Sequence, residues 1–165
     1  MQKKIVYVFV ILAGGLVGLY FYNKYKVAPK IELFSKEIFD AEGKQEKNIS
    51  EILKGKKIIV TYSTSWCRDC LIEMKQLNEL KSDKLKDVEI VVITDESPEK
   101  LVAFKEKHNY PFRFYRITKQ FSEIGVASIP VVYLISTKGK TVYEKVGAPD
   151  WENQEFVKQA LRMME

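Results

Sequence analysis

The chain opens on one long apolar run and then changes to short apolar blocks separated by polar turns. "IVYVFVILAGGLVGLYFY", Ile5 to Tyr22, holds 18 residues without a charge. As a helix rising about 1.5 Å per residue it reaches roughly 27 Å, close to the thickness of a bilayer core. Tyr20, Phe21, Tyr22 and Tyr25 gather at its C-terminal end, where amphipathic rings favour a membrane interface. A cleaved signal peptide, with Ala13 and Gly15 as the small residues of the cleavage site, is the competing reading, but the apolar run continues past that point. The pattern predicts a basic tail over 1–4, a transmembrane anchor over 5–22, a tether over 23–30 and one folded domain over 31–165.

Within the domain, "IELFSKEIFDAEGKQEK" reads as extended segments around an Ala-Glu-Gly turn, an N-terminal β-hairpin. "NISEILKGK" offers Asn48 or Ser50 as a cap, a single apolar helical turn, and Gly55 as a stop. "KIIVTYS" and "VEIVVIT" carry β-branched residues on both faces, as strands buried on both sides do. Between them "CRDCLIEMKQLNELK" spaces Leu71, Met74, Leu77 and Leu80 as a helix. Ser97 and Pro98 start a second helix, with Leu101, Val102 and Phe104 inward, and "FRFYRI" alternates as a half-exposed strand would. "IPVVYLIS", the turn "TKGK" and "TVYEKV" form a hairpin, and Phe156, Val157, Ala160, Leu161 and Met164 mark one face of a closing helix. The expected class is α/β, a central mixed sheet with helices on both faces.

Charge adds little to this frame. The formal net charge is +5, but residues 1–30 hold Lys3, Lys4, Lys24, Lys26 and Lys30 with no acid, leaving 22 basic and 22 acidic side chains beyond them. The domain is neutral, and a nucleic-acid footprint is not expected. Two lysines before the apolar run and three after it leave the positive-inside count nearly tied.

The two cysteines change the picture. They lie three positions apart in "TYSTSWCRDCLIEM", at the junction of a strand and a helix. Cysteine is a nucleophile only as thiolate, and the free N–H groups and dipole of a helix N-terminus stabilise that charge on Cys67. Arg68 adds a cation and Asp69 opposes it, so this pair tunes the thiolate. Cys70, one turn further in, suits a resolving thiol that closes a redox-active disulfide with Cys67. No metal is expected: with two cysteines and one histidine, a tetrahedral zinc site lacks ligands. No cofactor is implied.

"SWCRDC", followed 63 residues after Cys67 by the proline of "SIPVV", resembles the thioredoxin superfamily. "FDAEGKQEKNISEILKGKKIIVTYSTSWCRDCLIEM" resembles the membrane-anchored TlpA/ResA-type thiol-disulfide oxidoreductases of the bacterial cell envelope. The resemblance covers residues 31 to 165 and implies a thioredoxin-like fold, with Ile129 and a cis Pro130 facing the cysteines. It implies a catalytic domain outside the cytoplasmic membrane that reduces disulfides of envelope proteins, apocytochrome c among them, with electrons from a membrane thiol-disulfide donor. It also matches Glu73 to a glutamate three positions after the second cysteine, a half-buried carboxylate that would hold or take the Cys70 proton. Trp66 would shield Cys67 and contact substrate, and Ile129 would pair with an extended substrate, Pro130 contributing no N–H to the groove. The chain departs from the pattern in three places. Thr61 stands where plain thioredoxins have a buried aspartate, Asp69 where proline is frequent, and Val131 where threonine is common after the cis proline.

Two rivals use the same residues. A peroxiredoxin-like thiol peroxidase would pair Thr64 with Cys67, although the proline normally upstream is missing. A Sco-like copper chaperone would need His108 beside the cysteines; otherwise His108 reads as a solvated cap at a helix C-terminus.

Overall fold

A computed structural model describes residues 2–26, 28–29, 38–46 and 49–165. Six strands, β1 (Ile38–Phe39), β2 (Lys57–Tyr62), β3 (Val88–Thr94), β4 (Arg113–Ile117), β5 (Val131–Ile135) and β6 (Thr141–Val146), form one sheet in the order β1-β4-β3-β2-β5-β6. β2, β3 and β4 run parallel, whereas β1, β5 and β6 join antiparallel, so the sheet is mixed. β2 has neighbours on both edges and β-branched side chains on both faces; Ile58 to Tyr62 are all buried. That is the burial expected of a central strand.

Alternation along the strands separates two cores. Ile58, Val60 and Tyr62 point to one face with Val91, Ile93, Val131, Tyr133 and Ile135. That face is closed by the one-turn helix α2 (Ile49–Ile52), through Ile49, and by a 3₁₀ turn over Phe121–Ile124, which the sequence pattern does not predict. Ile59 and Thr61 point to the other face, which carries the longer helices α3 (Arg68–Lys81), α4 (Pro98–His108) and α5 (Gln154–Met163). Leu77 of α3 meets Val157, Ala160 and Met164 of α5 over Ile59, Val132 and Leu134, while Met74 of α3 meets Leu101 and Phe104 of α4 over Val92 and Phe114. α3 and α4 share one face because each parallel step, β2 to β3 and β3 to β4, moves in the same direction across the sheet. A crossover of fixed hand then returns to the same side, and α5 joins them there through Val157, Ala160 and Met164.

Several local expectations change on folding. "FRFYRI" was expected to be half-exposed, but Phe114 and Tyr115 are both buried, Phe114 against Leu101 and Phe104 of α4 on one face of β4 and Tyr115 in the first core on the other. Leu71, Leu80, Val102, Phe156 and Leu161 are only half-buried at the margins of their helices. Ser50 lies inside α2 and does not cap it, while Asn48 falls outside the described residues. The hairpin is short: Phe39 bridges Gln45 around the turn, and the Glu46 N–H donates to the Ile38 carbonyl at 2.9 Å. Its expected first arm, residues 31–37, falls outside the described residues. Ala28 is buried in the first core, and the Pro29 carbonyl accepts a hydrogen bond from the Tyr133 hydroxyl at 2.5 Å. The packed domain therefore takes in the end of the tether.

The N-terminal run forms one helix, α1 (Gln2–Lys26), whose side chains from Tyr7 to Tyr22 are exposed. Among the described residues no helix is long and apolar enough to cross a membrane.

Candidate active site

The site begins where β2 gives way to α3. The Ser63 N–H still bonds the Ile93 carbonyl at 2.9 Å, after which the chain leaves the sheet through Thr64, Ser65 and Trp66. Cys67 is the N-cap of α3: its backbone is extended, and its sulfur takes the place of a capping oxygen, accepting the Cys70 N–H at 3.2 Å. A sulfur so placed meets the positive end of the helix, the environment that favours thiolate when the pair is reduced. Cys67 and Cys70 are joined as a disulfide with Cα atoms 5.2 Å apart. Cys67 is 8% exposed and Cys70 fully buried, so only the first is open to a substrate sulfur.

Arg68 and Asp69 are exposed on the first turn of α3. Trp66 is 71% exposed, which rules out a core role for its ring. The Ile129–Pro130 peptide is cis, and Ile129 packs against the cluster that contains both cysteines. The Pro130 carbonyl is held by the Gly147 N–H at 2.7 Å, which fixes the loop at the start of β5. Trp66, Ile129 and the open side of Cys67 thus lie at one end of the sheet.

Beneath the pair lies Glu73, expected half-buried and found fully buried. Its Oε2 accepts the Thr61 hydroxyl at 2.7 Å and its Oε1 accepts the Trp151 indole N–H at 3.1 Å. Burial is the dominant influence and pushes its pKa up to about 7; the two hydrogen bonds, and the more distant Lys145 ammonium, pull the other way. The carboxylate missing at position 61 is thus supplied from the helix, and Thr61 has become its hydrogen-bond partner. Trp151 was not foreseen: it is distant in sequence from the cysteines and carries no motif.

A second acid is likewise unmarked in the sequence. Glu96, nearly buried, accepts the Ser65 N–H at 2.6 Å and the Ser65 hydroxyl at 2.7 Å, and so steadies the loop that leads into Cys67. The hydroxyls of Ser63 and Thr64 are buried without a hydrogen-bond partner and line a cavity of about 10 Å³ with Thr94 and Glu96. Such a volume accommodates about one water molecule. His108 ends α4 but is not a solvated cap: it stacks on Phe104 and Tyr110, with ring centroids 4.4 and 5.3 Å away. Among the described residues no group of three or more His, Cys, Asp or Glu could hold a metal ion, so the copper reading lacks its ligand set.

Comparison with known proteins agrees with this geometry. The family model described as Redoxin matches residues 26–161. The thioredoxin-like protein YneN of Bacillus subtilis is 30% identical over 145 residues, covering 78% of this chain and 82% of that protein. The thiol-disulfide oxidoreductase ResA of Bacillus anthracis is 27% identical over 157 residues, 90% of each chain. Among solved structures, StoA of Bacillus subtilis superposes with a TM-score of 0.54 at 21% identity, over 76% of this chain and 98% of that one. A thioredoxin-like protein of Porphyromonas gingivalis does so with a TM-score of 0.63 at 19% identity, over 77% and 88%.

Proposed function

The chain belongs to the Redoxin family and is a thioredoxin-like thiol-disulfide oxidoreductase of the ResA type, and from that premise we propose that it works as a membrane-anchored reductase of disulfides in envelope proteins. The observation that carries this reading is the asymmetry of the pair: Cys67 caps the helix at the surface and Cys70 is sealed beneath it beside a buried carboxylate. The Cys67 thiolate attacks a substrate disulfide, forming a mixed disulfide and releasing one substrate thiolate. Glu73 takes the Cys70 proton, and the Cys70 thiolate attacks the Cys67 sulfur. The mixed bond breaks, the second substrate thiolate leaves, and the two electrons of the dithiol have passed to the substrate. A membrane thiol-disulfide donor returns the pair to the reduced state.

Trp66, Ile129 and Pro130 form the substrate groove, its exposed indole and the loop against the cysteines supporting contact with an extended segment. Arg68 and Asp69, both exposed, tune the Cys67 thiolate in opposite senses. The 18-residue uncharged run within α1 supports an anchor over 5–22, with the domain on the extracytoplasmic side. Apocytochrome c is one candidate among the envelope substrates. Trapping tests the cycle. A Cys70→Ser variant, produced in reduced form and exposed to envelope extract, should accumulate mixed disulfides at Cys67 that dithiothreitol releases. Absence of any adduct, together with a wild type inactive on every protein disulfide offered, would refute the reading.

A further inference from the structure

The Glu73 carboxylate is held from two sides by neutral donors on separate elements. The Thr61 hydroxyl reaches Oε2 from β2, and the Trp151 indole N–H reaches Oε1 from the segment leading into α5. All three residues are essentially inaccessible to bulk solvent, so these two donors are what the surrounding protein offers the carboxylate. We infer that Thr61 and Trp151 are positioning residues for the second half of the redox cycle, fixing the Glu73 carboxylate and directing the Cys70 proton to Oε2. The inference rests on the proposal that Glu73 serves Cys70.

The two donors are not equivalent. An indole N–H only donates, whereas a hydroxyl donates or accepts by rotating about its C–O bond. When Glu73 is ionised, both oxygens accept. When it takes the proton, the oxygen facing Trp151 must remain an acceptor or strand a buried N–H. The oxygen facing Thr61 can become the O–H, because the Thr61 hydroxyl turns and accepts from it. The proton that leaves Cys70 Sγ therefore resides on Oε2, and the thiolate left behind attacks Cys67. The other groups facing the site are the cysteines on α3 and, at longer range, the Lys145 ammonium on β6, which favours the ionised carboxylate. Trp151 packs in the core beneath Phe156 in any case. A purely structural role for it would leave the titration of Glu73 unmoved.

Reduced full-length chain in detergent, mixed with excess Ellman reagent, releases chromophore twice: once as Cys67 attacks, and again as Cys70 resolves the mixed disulfide. In the wild type the second release should rise with pH through an inflection near 7. Trp151→Phe, which keeps an aromatic ring but removes the donor, should move that inflection up by about one pH unit and slow the second release about five-fold at pH 7, as the ionised fraction falls from about one half to about one eleventh. Thr61→Val should move it in the same direction by less, since it removes a partner of both protonation states, and Thr61→Ser should restore the wild-type profile. The first release should be unchanged in all of these variants. Wild-type inflections in both Trp151→Phe and Thr61→Val, with the inflection lost in Glu73→Gln, would overturn this inference and leave Glu73 as the proton partner. An inflection that survives in Glu73→Gln would overturn the role of Glu73 and this inference with it. If Trp151→Phe does not fold, the contrast between Thr61→Val and Thr61→Ser decides.

Discussion

At Glu73 burial and hydrogen bonding pull against each other. A carboxyl group with an ordinary pKa of 4.5 is held at about 7 because burial penalises its charged form more than two neutral donors favour it. The sign of the stability effect follows. Between about pH 4.5 and 7 the folded chain binds a proton at Glu73 that the unfolded chain has released, so stability falls as pH rises through that window and is level above it. The loss is on the order of 3 kcal/mol. Urea unfolding of the oxidised protein across this range should show the decline in the wild type relative to Glu73→Gln, which has no proton to lose. A difference between the two proteins that does not vary with pH would mean that Glu73 titrates normally. From the sequence, Glu73 was visible only by resemblance, as one of two glutamates on an amphipathic helix. Its depth was not visible, since Ile72 on the same turn is exposed.

At the scale of elements, α3 has two tasks joined by one stretch of backbone: its N-terminus presents Cys67, and its buried stripe fixes where that N-terminus stands. Leu77 is fully buried among Ile59, Leu134 and Val157. Leu77→Ala should lower unfolding stability by about 3 kcal/mol through lost burial and the cavity left behind. The pH dependence of Ellman release should keep its form, because the Leu77 side chain has no charge and no hydrogen-bonding group to offer Glu73 or the sulfurs. A loss below about 1 kcal/mol in denaturant unfolding would mean that the α3–α5 interface collapses around the smaller side chain. The helical spacing of Leu71, Met74, Leu77 and Leu80 makes this stripe legible from the residues alone. What periodicity does not convey is that α4 and α5 flank α3 on the same face of the sheet. For α4 that arrangement depends on the direction of the β2–β3–β4 steps, and for α5 on its packing against Leu77, relations among distant elements and not a local pattern.

For the whole molecule, the decisive feature is the division between a neutral redox domain and an N-terminal helix that holds an 18-residue uncharged run. The proposed anchor has a direct test. In the wild type, full-length protein should sediment with membranes and resist alkaline carbonate extraction. Leu12→Arg combined with Leu16→Arg puts two charges near the centre of the apolar run, each costing roughly 3 kcal/mol of insertion free energy. That variant should move to the soluble fraction with its cysteine chemistry intact. Carbonate extraction of the wild type would refute the anchor. The redox domain itself takes in Ala28 and Pro29, so the proposed anchor would be joined to it by fewer free residues than a boundary at residue 31 implies.

Features that depend on short-range pattern are written in the amino-acid order of the chain. They are the apolar run, the succession of strands and helices, the position of the cysteines at a helix start, and the placing of one cysteine at the cap and the other a turn deeper. These follow because periodicity and spacing act over one or two turns of chain. Which groups surround the pair is a matter of tertiary packing. Thr61 is 12 residues from Glu73 and Trp151 is 78 away, yet both bond the same carboxylate. Glu96 reaches Ser65 across 31 residues. Such contacts are made by strand pairing and helix packing, in which distance along the chain no longer predicts distance in space, and the proton route at a buried acid is set by those contacts.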